Sequence, residues 1–154
     1  MIFNFGPYTV DIDIEKTREY YNSLAVRETN CNMGYKNYVA VIPHLPLEVK
    51  SFYKAIGVDI YKIREVYVNC VNRDESICYG GFYCICGNII NNNELSLHDN
   101  KTLKDGYAYA LTKDYCIEFI EYENVEDSNS ALTNLKIDIL ANLPWILNET
   151  NPYK

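Results

Sequence analysis

The run Cys78-Tyr79-Gly80-Gly81-Phe82-Tyr83-Cys84-Ile85-Cys86-Gly87-Asn88-Ile89-Ile90 is the longest strongly apolar stretch of the chain and holds three of its six cysteines. Its β-branched and aromatic side chains suit a pleated surface, and the turn-formers Asn72 to Ser76 and Asn91 to Asn93 bound it, so the run predicts a central β-strand. Period two puts Cys78, Phe82, Cys84 and Cys86 on one face and Tyr79, Tyr83 and Ile85 on the other. Both faces are largely apolar, which predicts a strand covered on both sides with the rest of the chain packed around it. Gly80-Gly81 inside the run marks a bulge or a close backbone approach.

The neighbouring patterns supply the rest of the architecture. Glu65 to Val71 reads as a strand that turns through Asn72 to Ser76 and pairs antiparallel with the central one. Phe3 to Phe5, Gly6-Pro7 and Tyr8 to Ile12 read as a hairpin. Asp13 is a good N-cap for a following helix whose apolar residues are Ile14, Tyr20, Tyr21 and Leu24. Arg27 to Gly34 reads as a loop, and a second helix carries Tyr35, Tyr38, Val39 and Ile42 until Pro43 to Pro46 break it. A third, with Pro46 at its first position, shows Val49, Phe52, Tyr53 and Ile56 at i, i+3, i+4 and i+7, with Gly57 at C′. Asn91 to Gly106 is a long polar connection, and Tyr107 to Leu111 with Tyr115 to Tyr122 form a second hairpin about Lys113-Asp114. Leu135, Ile137 and Ile139 alternate with Lys136 and Asp138, which predicts an outer strand with one wet face, and Asn142 to Leu147 is an apolar tail that must dock. The order predicts one α+β domain over residues 1–154, a mainly antiparallel β-sheet with two or three helices packed against it.

Charge narrows the function. With 14 bases against 21 acids the chain carries −7, which opposes a phosphate backbone and argues against nucleic acid, while it steers a basic protein partner toward the surface. The start of the chain has no basic-then-apolar leader, and no apolar run reaches the ~18 residues of a membrane span, so a cytoplasmic protein with reduced thiols and no membrane partner is expected. Fifteen tyrosines would make a protein interface if exposed; the abundance of Asn, Ile, Lys and Tyr, all with AT-rich codons, accounts for them equally well.

Four constellations carry chemistry. Cys84 and Cys86 project from one face roughly 7 Å apart along a strand, too far for an easy disulfide but within reach of one metal ion, with Cys31, Cys78 or His44 to complete a site. There is no C-x-x-C pair, and buried thiols beside Phe82 explain the pattern without a metal, so neither metal nor cofactor is expected. A thiol nucleophile would need His44 or His98 as its base. Asp11, Asp13 and Glu15 superficially resemble a calcium loop but lack its Gly and its twelfth-position Glu, and a strand running into a helix cap accounts for them. The acids Glu118, Glu121, Glu123, Glu126 and Asp127 gather near the second hairpin, as a solvated face or as a patch for a basic ligand.

Several stretches together resemble a family of small bacterial proteins without assigned function, over most of the chain. They are Tyr8-Thr9-Val10-Asp11-Ile12-Asp13-Ile14-Glu15-Lys16-Thr17-Arg18-Glu19-Tyr20-Tyr21, Lys36-Asn37-Tyr38 after Cys31, Leu45-Pro46, Ile56-Gly57-Val58-Asp59, Glu65-Val66-Tyr67, Tyr79-Gly80-Gly81-Phe82-Tyr83 and Pro144-Trp145. That family carries a second cysteine where this chain has Tyr35, and a histidine near the position of Cys84; both departures count against a shared metal or thiol site. Small acidic proteins of this kind are similar to the immunity partners of bacterial toxins. The acidic, tyrosine-bearing surface together with that similarity predicts a non-enzymatic protein that holds a basic toxin domain. If that domain is a nuclease, Glu118, Glu121 and Glu123 would occupy its phosphate path and Tyr115 or Tyr122 would anchor the contact. The alternatives are a metal- or thiol-dependent site on Cys84, Cys86 and Cys31 or a structural interaction protein.

Overall fold

In the computed structural model, which describes residues 1–25, 32–92, 109–122 and 133–154, the first hairpin forms as its turn predicts. β1 (Ile2–Phe5) pairs antiparallel with β2 (Tyr8–Ile12) about Gly6-Pro7. The side chain of Asp13 then accepts from the Lys16 amide and opens α1 (Ile14–Ser23). Asn32 caps α2 (Met33–Val41) in the same way, so this helix begins inside the stretch read as a loop. A 3-10 turn at Ile42–His44 leads to α3 (Leu47–Ala55), where Pro46 is the N-cap rather than the first helical residue and Gly57 takes the left-handed conformation (φ 81).

The described strands form two antiparallel sheets, so the α+β class and the mainly antiparallel sheet are as the sequence predicts. The remaining strands are β3 (Glu65–Val71), β4 (Ile77–Ile85), β5 (Gly87–Asn92), β6 (Tyr109–Thr112), β7 (Tyr115–Glu121) and β8 (Leu135–Leu143). One sheet has the order β1-β2-β5 and the other β3-β4-β8-β7-β6. Among the described residues, no helix is long and apolar enough to cross a membrane.

Two further expectations change. The run from Cys78 to Ile90 is two strands in two sheets, with Cys86 as the hinge between them. Gly87 permits the change of sheet, because it lies against β2 so closely that a Cβ there would sit 2.5 Å from the Asp11 carbonyl oxygen. The strand with alternating Leu135, Ile137 and Ile139 extends to Leu143 and is the middle strand of five, not an outer one. Alternation reports which face is buried; it carries no information on how many neighbours the strand has.

Gly80-Gly81 marks a close approach, as expected. A Cβ on Gly81 would lie 2.2 Å from the carbonyl oxygen of Glu65, and the Tyr67 ring lies over Gly80. The bulge is on the partner strand, where the register shifts between Val68 and Cys70.

β3 begins opposite Phe82, so among the described residues no strand pairs with the last residues of β4 on that side. Helix α1 takes the place of the missing strand. The Tyr21 hydroxyl donates to the Cys84 carbonyl (3.0 Å) and accepts from its amide (3.2 Å), Thr17 Oγ1 accepts from the Cys86 amide (3.1 Å), and the Asp13 amide donates to the Cys86 carbonyl (2.9 Å). The buried backbone groups of the strand end are thereby all bonded.

Helices α2 and α3 and the aromatic residues of the small sheet cover the inner face of the larger sheet. Phe5 stacks on Phe119 and meets Phe52 edge-on, while Tyr79, Tyr83, Tyr115, Ile117, Ile137 and Ile139 are fully or almost fully buried. In the middle of this core four phenols form a chain. Tyr83 Oη donates to the Ile60 carbonyl (2.8 Å) and lies 3.0 Å from Tyr38 Oη, which lies 3.0 Å from Tyr115 Oη, which lies 2.9 Å from Tyr53 Oη. A carbonyl only accepts, so the direction is fixed: Tyr53 donates to Tyr115, Tyr115 to Tyr38, Tyr38 to Tyr83 and Tyr83 to Ile60. The abundant tyrosines are thus in large part core residues.

Asn37, buried on α2, fixes the apolar tail. Its amide donates to Tyr79 Oη and the Pro144 carbonyl and accepts from the Ile146 amide. Further on, Tyr153 Oη accepts from the Gly34 amide, and Trp145 is half-buried against the Tyr153 ring.

Candidate partner-binding face

Because the inner face takes the odd-numbered residues of β4, β7 and β8, the even-numbered ones project from the outer face. Register then sets them in rows across the sheet. Glu65 is opposite Phe82, Phe82 opposite Asp138, and Asp138 opposite Glu118, so three carboxylates and one phenyl ring lie in one line over four strands. The adjacent row is Cys84, Lys136 and Ile120. Asp138 and Glu118 are neighbours at about 5 Å between strands, and Glu65 lies two strands away, about 10 Å from Asp138.

This row is electrostatically unbalanced. Burial raises the pKa of Glu118, and the facing Asp138 adds to the rise. Burial likewise raises that of Asp138, with Lys136 opposing and Glu65 reinforcing the shift. Among the described residues, no ion pair within 4.0 Å reaches Glu65, Asp138 or Glu118. The nearby cation Lys136 is engaged elsewhere: its ammonium lies 4.4 Å from the Phe82 ring centre and 5.2 Å from that of Tyr122.

The five site residues read from the sequence are placed differently. Glu118 is half-buried in this row. Glu121 is exposed at the end of β7, accepts from the Ile89 amide (3.3 Å), and lines a cavity of about 290 Å³ with Tyr122, Asn88 and Asn134. Tyr122 is half-buried, its hydroxyl bonded to Thr133 Oγ1. Glu123 lies outside the described residues. Tyr115 must be corrected: it is 1% exposed, on the inner face, with its hydroxyl committed to Tyr38 and Tyr53, so it anchors the core and no surface contact. Strand parity carried the signal, since Tyr115 alternates with Cys116 and Glu118 and must face away from them.

Glu65, Asp138 and Phe82 join the site only through pairing between distant segments, which no local pattern shows. For the cysteines, Cys84 and Cys86 are buried and burial raises both thiol pKa values, that of Cys86 to about 11. His44 is exposed, while Cys31 and His98 lie outside the described residues. Among the described residues no three His, Cys, Asp or Glu side chains are placed to hold a metal ion. No family model, curated protein or solved structure matches the chain.

Proposed function

We propose that the chain is a non-enzymatic binding protein that presents the outer face of its five-stranded sheet to a basic protein partner, in the cytoplasm, with the blocking of a bacterial toxin domain as its most concrete form. The row Glu65, Phe82, Asp138, Glu118 carries this reading. Like charges set opposite each other on neighbouring strands cost the free protein about 0.2–1 kcal/mol per pair. Lysine or arginine side chains of a partner would relieve that cost, and Phe82 between the acids offers an apolar contact at the centre. The small size and the net charge of −7 suit a protein that occupies the phosphate path of a nuclease. Thiol chemistry has less support, because burial holds the Cys84 and Cys86 thiols protonated whereas reactive thiols have lowered pKa values.

Capture on the immobilised chain, with elution by a salt gradient, tests the proposal. A basic protein retained at low salt and released by rising salt is expected, and the triple variant E65Q/E118Q/D138N, which keeps the shape of the face, should lose at least tenfold in affinity, or about 1.4 kcal/mol. Retention that the triple variant leaves unchanged would remove this face from the reading.

A further inference from the structure

Strand β3 carries Val66 and Val68 toward the helices and Glu65 and Tyr67 toward the outer face, and the bulge at Asn69 resets this alternation. After the bulge Val71 faces Ile77, which is fully buried, and Cys70 faces Cys78. The two cysteines are therefore direct cross-strand partners projecting from the same side of the sheet. Asn69, the extra residue of the bulge, lies on the side of Cys78 as well, its amide reaching Cys78 Sγ at 3.9 Å, while Cys70 Sγ lies 3.9 Å from Asn72 Oδ1.

We propose that Cys70 and Cys78 are a dithiol that closes into a cross-strand disulfide on exposure to a small-molecule disulfide such as oxidised glutathione. Directly opposed residues of an antiparallel pair have Cα atoms about 4.5 or 5.5 Å apart, and both spacings lie within the range of about 4.4–6.8 Å that disulfides use. Access sets the order of events. Cys70 is exposed, and its thiolate attacks one sulfur of the incoming disulfide, releasing one small thiol and forming a mixed disulfide. Cys78, half-buried, then attacks the Cys70 sulfur as a thiolate and expels the second small thiol. In balance, two protein thiols and one disulfide give one protein disulfide and two small thiols. The bridge ties the far end of edge strand β3 to β4 and fixes the hairpin that carries Glu65, Tyr67 and Phe82.

Sequence position selects this pair over the other thiols. Cys84 faces Lys136, and Cys116 faces Leu140 and Ala110, so among the described residues neither has a cysteine as its cross-strand partner. Cys84 and Cys78, on one strand, are six residues and thus about 20 Å apart.

The full chain is incubated with oxidised glutathione and analysed by peptide mapping under non-reducing conditions. Trypsin cuts after Arg73, between the two cysteines, so closure appears as a covalent link between peptide 65–73 and peptide 74–101, and fragmentation locates the second sulfur. The expected result is an intramolecular Cys70–Cys78 link that dithiothreitol reverses, that C70S and C78S each abolish, and that C84S and C116S leave in place. Glutathione persisting on Cys70 without closure, a link from Cys70 to Cys84 or Cys86, or a dimer joined through Cys70 would each overturn the proposal. None of these outcomes depends on whether the outer face binds a partner.

Discussion

The two faces of the five-stranded sheet treat polar groups in opposite ways. On the inner face Tyr79, Ala141 and Tyr115 form one cross-strand row and Tyr83, Ile137 and Phe119 another, and the small Ala141 leaves room for the rings beside it. The hydroxyl groups that these rings carry inward end in donors and acceptors placed for them: Asn37 for Tyr79, Ile60 for Tyr83, Tyr38 and Tyr53 for Tyr115. The outer row of Glu65, Asp138 and Glu118 is the reverse, with charges that face one another and have no ion-pair partner among the described residues. An unsatisfied buried hydroxyl costs about 1–3 kcal/mol, so the inner face could not be left uncommitted. A half-exposed carboxylate pair costs less, and a surface can carry that cost where a partner will relieve it.

Alkali tests the inner face most severely. Burial raises the Tyr38 pKa to about 12 and holds Tyr53, Tyr83 and Tyr115 well above the usual phenol value. A raised folded-state pKa is a contribution to stability that is complete below the unfolded value near 10 and is lost as pH climbs through the folded one. The two pKa units on Tyr38 alone correspond to about 3 kcal/mol, a large share of a typical total of about 5–15 kcal/mol, and Tyr53, Tyr83 and Tyr115 act in the same direction. The fold should therefore collapse in one alkaline step, with phenolate absorbance of the buried tyrosines appearing only as circular dichroism is lost. Smooth titration of every tyrosine near 10 in a folded protein would contradict the chain of phenols.

Direction along that chain makes a finer prediction. Removing the Tyr83 hydroxyl leaves the Tyr38 donor without its acceptor and the Ile60 carbonyl without its donor, so Y83F should cost about 2–4 kcal/mol in urea unfolding. Tyr53 begins the chain and only donates within it, so Y53F should cost about 1 kcal/mol. Equal costs at the two ends would show that the hydroxyls are not ordered one way.

The same contrast explains how much of the molecule was legible in the sequence. Local periodicity gives faces: the apolar alternation of Leu135, Ile137 and Ile139, the spacing of Val49, Phe52, Tyr53 and Ile56, and the Asp13 cap all form as their patterns require. Parity along β7 also separates Tyr115 from Glu118, a distinction the acid cluster obscured. What local pattern lacks is register. The phenol chain joins Tyr38, Tyr53, Tyr83 and Tyr115 from four elements, and the carboxylate row joins Glu65, Glu118 and Asp138 from three strands. The break at Cys86 was hidden for a related reason, since an apolar run does not show that its halves pair with different sheets.

The smallest effect is expected on the outer face, and its sign is what matters. For Glu118 and Asp138 the folded pKa lies above the unfolded one, so the native state binds more protons between the two values and stability falls as pH rises through that window. At neutral pH both carboxylates are therefore a cost, and D138N should stabilise the free protein by about 0.2–1 kcal/mol in urea unfolding. The gain should shrink as the medium is acidified below the ordinary carboxylate range, where both residues are neutral in either state. Binding to a basic partner should move the other way, weaker in D138N and weaker in the wild type on acidification, because the same protons that relax the face remove the charge that the partner reads. A D138N protein that unfolds more easily at neutral pH would mean that the carboxylate holds the sheet together, and the row would then belong to the structure on both of its faces.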